Sequence, residues 1–167
     1  MSRATVNLRG LRRDERAALE ALIRATGVFS EEEVGVALEL IDIGIANPSS
    51  GYLFLVAADE RDVAIGYACY GLCSMTDGVY DLYWIAVDPR AQRGGVGRAL
   101  LRATEDDVRR RGGRMIIIET AGKAEYDQTR AFYARTDCVE IARIADFYRV
   151  GDDKVVYQRK LDRTPPR

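Results

Sequence analysis

The chain has 167 residues, 47% of them hydrophobic, with 25 Lys and Arg against 26 Asp and Glu and a formal net charge of −1. That length suffices for one buried core, and the charge balance gives no long-range field that would draw in nucleic acid. Histidine is absent, which excludes Ser-His-Asp, Cys-His and His-zinc chemistry and leaves carboxylates as the candidate bases.

Thr5 to Leu8 alternates as a short strand, and after Gly10 the segment RRDERAALEALIRA sets Ala18, Leu19, Leu22 and Ile23 at helical spacing. Ser30 with Glu33 has the form of a capping box. Val34, Ala37, Leu38, Ile41 and Ile45 then recur at three and four residues up to Asn47-Pro48, which predicts a second helix. GYLFLVAADE and VAIGYACYGLCSM, separated by the turn-like DERD, predict an antiparallel pair, and GVYDLYWIAVD a third strand. Then the period changes: Val96, Ala99, Leu100 and Ala103 share one helical face, and Gly112-Gly113 ends the helix.

RMIIIET is a continuous apolar run, as expected of a strand buried on both faces and reached by a crossover helix, so strands 78–88 and 114–120 are expected to be parallel neighbours. A short helix through QTRAFYAR follows, then two strands around 140–148 and 155–161 with Gly151-Asp152-Asp153 turning between them. The order is β-α-α-β-β-β-α-β-α-β-β. It describes an α+β fold with a mixed, mostly antiparallel sheet, one parallel βαβ crossover and helices on both faces. Residues 1–161 read as one domain and 162–167, DRTPPR, as a loose tail. Cys69, Cys73 and Cys138 are odd in number and lack paired zinc spacing, and no signal-like or membrane-length segment is present. A reducing, cytoplasmic setting without membrane or metal is expected. Cys69 and Cys73 read as core thiols on one strand.

The stretch WIAVDPRAQRGGVGRALLRA places Gly94, Gly95 and Gly97 where a strand ends and a helix begins. Glycine there is costly to order. It lets main-chain N–H groups approach a ligand at the positive end of the helix dipole, an arrangement that binds phosphate. A dinucleotide fingerprint would need a third glycine where Leu100 stands, and the lysine of a nucleoside-triphosphate loop is missing.

QRGGVG, Gln92 to Gly97, matches the pattern Q/R-x-x-G-x-G/A of the GNAT superfamily of N-acetyltransferases. The preceding strand LYWIAVDP, the following helix and TRAFYAR downstream resemble that family as well. The resemblance implies a sheet whose two parallel strands splay to admit acetyl-CoA. Its pyrophosphate would lie on the amides of Arg93, Gly94, Gly95, Val96, Gly97, Arg98 and Ala99, with Gln92 opening the loop. Its pantetheine would pair with the main chain of Ile85, Ala86 and Val87, in the manner of an added strand. Gln128 stands where relatives carry an asparagine that touches the cofactor, and Arg130 is either a contact to a phosphate of the cofactor or a solvated helix residue. The chain departs from the family's pattern at Thr136-Asp137-Cys138, where relatives often have Leu-Gly-Phe or Leu-Gly-Tyr.

Acetyl transfer to an amine requires loss of a proton from an ammonium of pKa about 10.4, which at pH 7 costs about 4 to 5 kcal/mol. Asp81 aligns with the family's catalytic glutamate and reads either as that base or as a polar residue at a strand start. Alternation puts it with Tyr83, Ile85 and Val87, unless a bulge intervenes. Glu119 is the second candidate base. Tyr133 holds the place of the family's tyrosine that protonates the departing sulfur. The acceptor is expected to be a small primary amine or an amino-acid-like molecule, in a pocket walled by the first two helices, Tyr80, Tyr83, Trp84, Phe147 and Tyr148. A peptide or protein amine and a non-catalytic acyl-CoA-binding module are the alternatives. Sheet edges of this fold often pair, so a homodimer is a further expectation.

Overall fold

The structure is a computed structural model that describes residues 6–162, so the predicted strand start at Thr5 and nearly all of the 162–167 tail lie outside the described residues. Its elements are β1 (Asn7–Arg9), α1 (Arg16–Ala25), α2 (Glu31–Ala46), β2 (Leu53–Ala58), β3 (Ala64–Leu72), β4 (Val79–Val87), α3 (Val96–Arg110), β5 (Met115–Ala121), α4 (Asp127–Ala134), β6 (Val139–Arg149) and β7 (Asp152–Lys160). Short 3-10 turns at Pro89–Ala91 and Ala124–Tyr126 follow β4 and β5. The predicted order of strands and helices is the observed one. The hydrogen-bonded strand order is β1-β2-β3-β4-β5-β7-β6, with β4 and β5 parallel. β1–β2, β2–β3, β5–β7 and β6–β7 are antiparallel. None of the helices in the described region is long and apolar enough to cross a membrane.

Two compact units divide the chain. The first comprises the chain up to Gly71 together with Trp84–Asp106. Here α2 starts as its sequence requires: Ser30 Oγ accepts from the Glu33 amide at 3.2 Å, and Glu33 Oε2 accepts from the Ser30 amide at 2.7 Å. These two bonds satisfy donors that a helix start leaves orphaned. The apolar stripe Val34, Ala37, Leu38 and Ile41 packs with Leu19, Leu22 and Ile23 of α1 onto Val56, Tyr67, Cys69 and Ala86 of the sheet. Each such fully buried aliphatic side chain contributes about 1.5–3 kcal/mol through removal from water. The residue before Tyr67 faces the other way. A Cβ built on Gly66 would stand 3.1 Å from Leu100 Cδ1 and 3.2 Å from Val96 Cγ1, so the start of α3 lies directly on a bare glycine. Helices therefore cover both faces of this part of the sheet.

The second unit comprises Leu72–Tyr83 together with the chain from Asp107 onward. Its parallel ladder has four pairs, Val79↔Met115 to Leu82↔Ile118, although β4 itself runs on to Val87. The crossover is tight where α3 ends. A Cβ on Gly113 would lie 2.2 Å from Val108 Cγ1, and Gly78 adopts φ +71 while its carbonyl accepts from the Arg114 amide at 2.8 Å. At the far side, the buried carboxylate of Asp152 accepts from the amides of Gly122 and Lys123 at 3.1 and 3.2 Å. That contact binds the β6–β7 hairpin to the loop after β5. The predicted turn at 151–153 is shorter than expected: β7 already begins at Asp152, and Gly151 at φ +82 makes the reversal.

Ser30→Ala removes the cap acceptor and should lower stability by about 1 kcal/mol. Urea unfolding at constant m-value measures it, and an unchanged midpoint would show that α2 is held by packing alone.

Candidate active site

In the first unit, β4 leaves the sheet at Asp88, whose amide donates to the Ile65 carbonyl at 2.9 Å. The Asp88 carboxylate then folds the chain over, accepting from the Arg90 amide at 2.8 Å and from the Arg90 guanidinium at 2.7 Å. These bonds hold its carboxyl below the usual carboxylate range. Gln92 Nε2 donates to the Val87 carbonyl at 3.2 Å, so this side chain braces the loop against the strand it came from. Two residues enter the left-handed region, Arg93 at φ +65 and Gly95 at φ +87. The glycine does so without steric cost, whereas the arginine carries strain. Ala99 is the first amide of α3 with a helical acceptor, the Gly95 carbonyl at 2.9 Å. Among the described residues the amides of Arg93, Gly95, Val96, Gly97 and Arg98 have no hydrogen-bond partner in the protein. Five donors and the positive end of a fifteen-residue helix thus occupy one short, largely exposed loop.

In the second unit, the burial pattern of β4 alternates without a break from Val79 to Tyr83, which puts Asp81 and Tyr83 on the face opposite Tyr80 and Leu82. Asp81 is half buried, and this raises its carboxyl above the usual value. A hydrogen bond from the Cys73 thiol opposes the shift, nearby Glu119 adds to it, and the Lys154 charge reduces it. Cys73 lies just past the end of β3, where its amide donates to the Val79 carbonyl at 2.9 Å, and its thiol pKa is raised by the Asp81 charge. It is therefore a neighbour of the candidate base rather than the core thiol expected from sequence; Cys69 is fully buried. Glu119, the alternative base, pairs with Lys154 Nζ at 2.7 Å.

Tyr133, on α4, is 4% exposed, with its ring centroid 5.5 Å from that of Tyr157 and 5.4 Å from that of Phe132. Burial drives its hydroxyl pKa far up, so it remains a proton carrier at neutral pH. Asp137 takes φ +59 in the turn after α4, so the aspartate adopts the conformation that a glycine would otherwise supply.

The family model for the acetyltransferase (GNAT) family matches residues 16–137. The chain belongs to the GNAT family. Membership makes it an acetyltransferase and makes acetyl-CoA its acyl donor. Among solved structures, it is similar to a GNAT-family protein of Desulfovibrio desulfuricans at 41% identity and TM-score 0.88, covering 95% of this chain and 100% of that one. It shares the fold of the ribosomal-protein-S18-alanine N-acetyltransferase of Escherichia coli at 20% identity and TM-score 0.75, over 96% and 97% of the two chains. It likewise shares the fold of the yncA protein of Salmonella typhimurium, solved with its cofactor acetyl-CoA, at 18% identity and TM-score 0.72, over 96% of each. No protein of curated function matches the chain in sequence.

Seen as a GNAT chain, several sequence expectations change. Arg130 is not a solvated helix residue: Nη1 donates to the carbonyls of Ala121 and Lys123 at 2.6 and 3.0 Å, and Nη2 pairs with Asp127. Gln128 lies exposed on α4. Of the aromatics expected to wall an acceptor pocket, Tyr80 is buried and Trp84 packs into the first unit's core against Phe29 at 4.9 Å. Tyr83, Phe147 and Tyr148 are exposed. Sequence reading missed Lys154, which no local motif marks and which only the β5–β7 pairing brings to Glu119.

Because burial raises Asp81 in the folded chain, its ionised form costs stability at neutral pH, and the cost disappears below the unfolded carboxylate value of about 4. Asp81→Asn should accordingly raise Tm at pH 7 and leave it unchanged near pH 3. Carboxyl NMR should find Cys73→Ala moving the Asp81 pKa further up and Glu119→Gln moving it down; a carboxyl titrating at the ordinary value would remove the desolvation argument.

Proposed function

We propose that this chain moves an acetyl group from acetyl-CoA to the primary amine of a small-molecule or amino-acid-like acceptor, by direct attack of the amine on the thioester. The observation that carries the reading is the set of unpartnered amides of Arg93, Gly95, Val96, Gly97 and Arg98, since a pyrophosphate is the ligand such a set fits. On this reading Gly94, Val96, Gly97 and Ala99 shape the same cradle. Gln92 keeps it closed, and the main chain of Ile85, Ala86 and Val87, beyond the last β4–β5 pair at Leu82, takes the pantetheine amides. Gln128, exposed on α4, is available to touch the cofactor.

Asp81 is the base in this proposal. Its raised pKa brings it nearer the ammonium it must relieve, and the paired state of Glu119 makes that residue the poorer acceptor. Tyr133, kept protonated by burial, gives its proton to the departing sulfur. Once Asp81 has taken one ammonium proton, the amine nitrogen forms its bond to the acetyl carbon as the carbon–sulfur bond breaks. The sulfur takes the Tyr133 proton and leaves as the coenzyme thiol, and the second proton shed by the nitrogen restores the tyrosine. Residues 1–161 work as one domain in this scheme, in a reducing cytoplasm that suits three free cysteines. A homodimer joined at a sheet edge belongs to the same reading, and β6, which ends the strand order, is the edge that exposes Val139, Ile141 and Ile144.

Coenzyme A should raise Tm of the wild type and of Asp81→Asn and Tyr133→Phe, while Gly95→Val, which forces a β-branched residue into φ +87, should weaken that response. Coenzyme A release against an amine panel should fall roughly a hundredfold or more in each of the first two variants. No thermal response to saturating coenzyme A would end the cradle assignment. Full turnover in Tyr133→Phe would remove the tyrosine from the chemistry.

A further inference from the structure

Lys154 is the cation set among the candidate bases, and the proposed reaction gives it no part. Its ammonium meets Glu119 at 2.7 Å and lies 4.8 Å above the Phe147 ring, while its side chain is 17% exposed. Its charge reaches Asp81 as well. Other cations of the same unit are occupied elsewhere: Arg130 by the carbonyls of Ala121 and Lys123, and Arg143 by Glu140 at 2.9 Å and Asp153 at 3.4 Å.

Charge counting then limits the acceptor. Ionised Asp81 and Glu119 with protonated Lys154 carry one net negative charge, which one arriving ammonium neutralises. A second ammonium close to the first would meet Lys154 and be repelled. A carboxylate close to it would find a donor. Glu119 is half exposed, so its ion pair with Lys154 is held loosely and can be exchanged for another carboxylate at little cost. Phe147 beneath the lysine restricts where the ammonium can go, which favours one direction of approach.

We infer that Lys154 is a specificity-determining residue that takes the carboxylate of the acceptor, so that the substrate class is free amino acids rather than simple amines or polyamines. The inference rests on the proposed acetyl transfer with Asp81 as base, and goes beyond it in naming the acceptor by its charge.

The test uses the whole chain with acetyl-CoA and amino acids of several side-chain types, each beside its amide and its decarboxylated amine, with 1,4-diaminobutane added. Rates are compared per concentration of unprotonated amine. In the wild type, kcat/KM should favour the amino acid over its amide and amine by about tenfold or more, the worth of one charge-assisted contact. Lys154→Met should collapse that ratio through the amino acid's KM, and Lys154→Arg should keep it. A wild type that prefers the amide, the amine or the diamine overturns the inference while leaving acetyl transfer intact, as does a ratio unmoved by Lys154→Met. Failure of every acceptor to release coenzyme A, with coenzyme A still bound, overturns the transfer reading and this inference together.

Discussion

Five main-chain donors without acceptors are an unstable arrangement unless something on each side prevents the chain from relaxing. Before the loop, Asp88 is bonded to Ile65 through its amide and to Arg90 through its carboxylate, so the strand end cannot drift. After it, Val96 and Leu100 are buried against the bare surface of Gly66. Between these anchors the backbone must reverse within a few residues, and Arg93 and Gly95 do it by going left-handed. Strain at a non-glycine residue persists when its surroundings over-determine it. The strained turn and the exposed amides have one cause.

The second unit holds the groups to which the proposed reaction assigns acid and base roles in a chain without histidine. One carboxyl, Asp81, is made a stronger base by partial burial and by a second carboxylate, while a thiol and a lysine limit the shift. One hydroxyl, Tyr133, is kept from ionising by deeper burial. Burial raises both groups, so the carboxyl holds its proton more strongly than usual and the hydroxyl stays neutral. Desolvation does most of this work, and it comes from the same packing that gives the unit its core. An ionised, half-buried Asp81 therefore weighs against stability at neutral pH.

Sequence alone determined the element order, because it resides in local periodicity. The capping box at Ser30 and Glu33, the 3.6-residue stripe of α2 and the apolar run of β5 are each decided within a turn or a strand's length of chain. The loop was legible for the same reason, since a glycine-rich strand-to-helix turn exposes donors whatever surrounds it. The left-handed arginine was not legible, as no propensity marks Arg93 for φ +65; anchors on either side impose it.

Only the tertiary structure decided which side chains share a site. Cys73 reaches Asp81 because the chain reverses between residues 73 and 79, and Lys154 reaches Glu119 because β7 runs antiparallel to β5 from a hairpin held by buried Asp152. Arg130 and Trp84 show the converse: residue types suited to a ligand, taken up respectively by two carbonyls and a hydrophobic core. Local pattern sets the conformation of a segment, but partners distant along the chain meet only when strands pair. Charge and burial, which decide a pKa, arise at that point and not before.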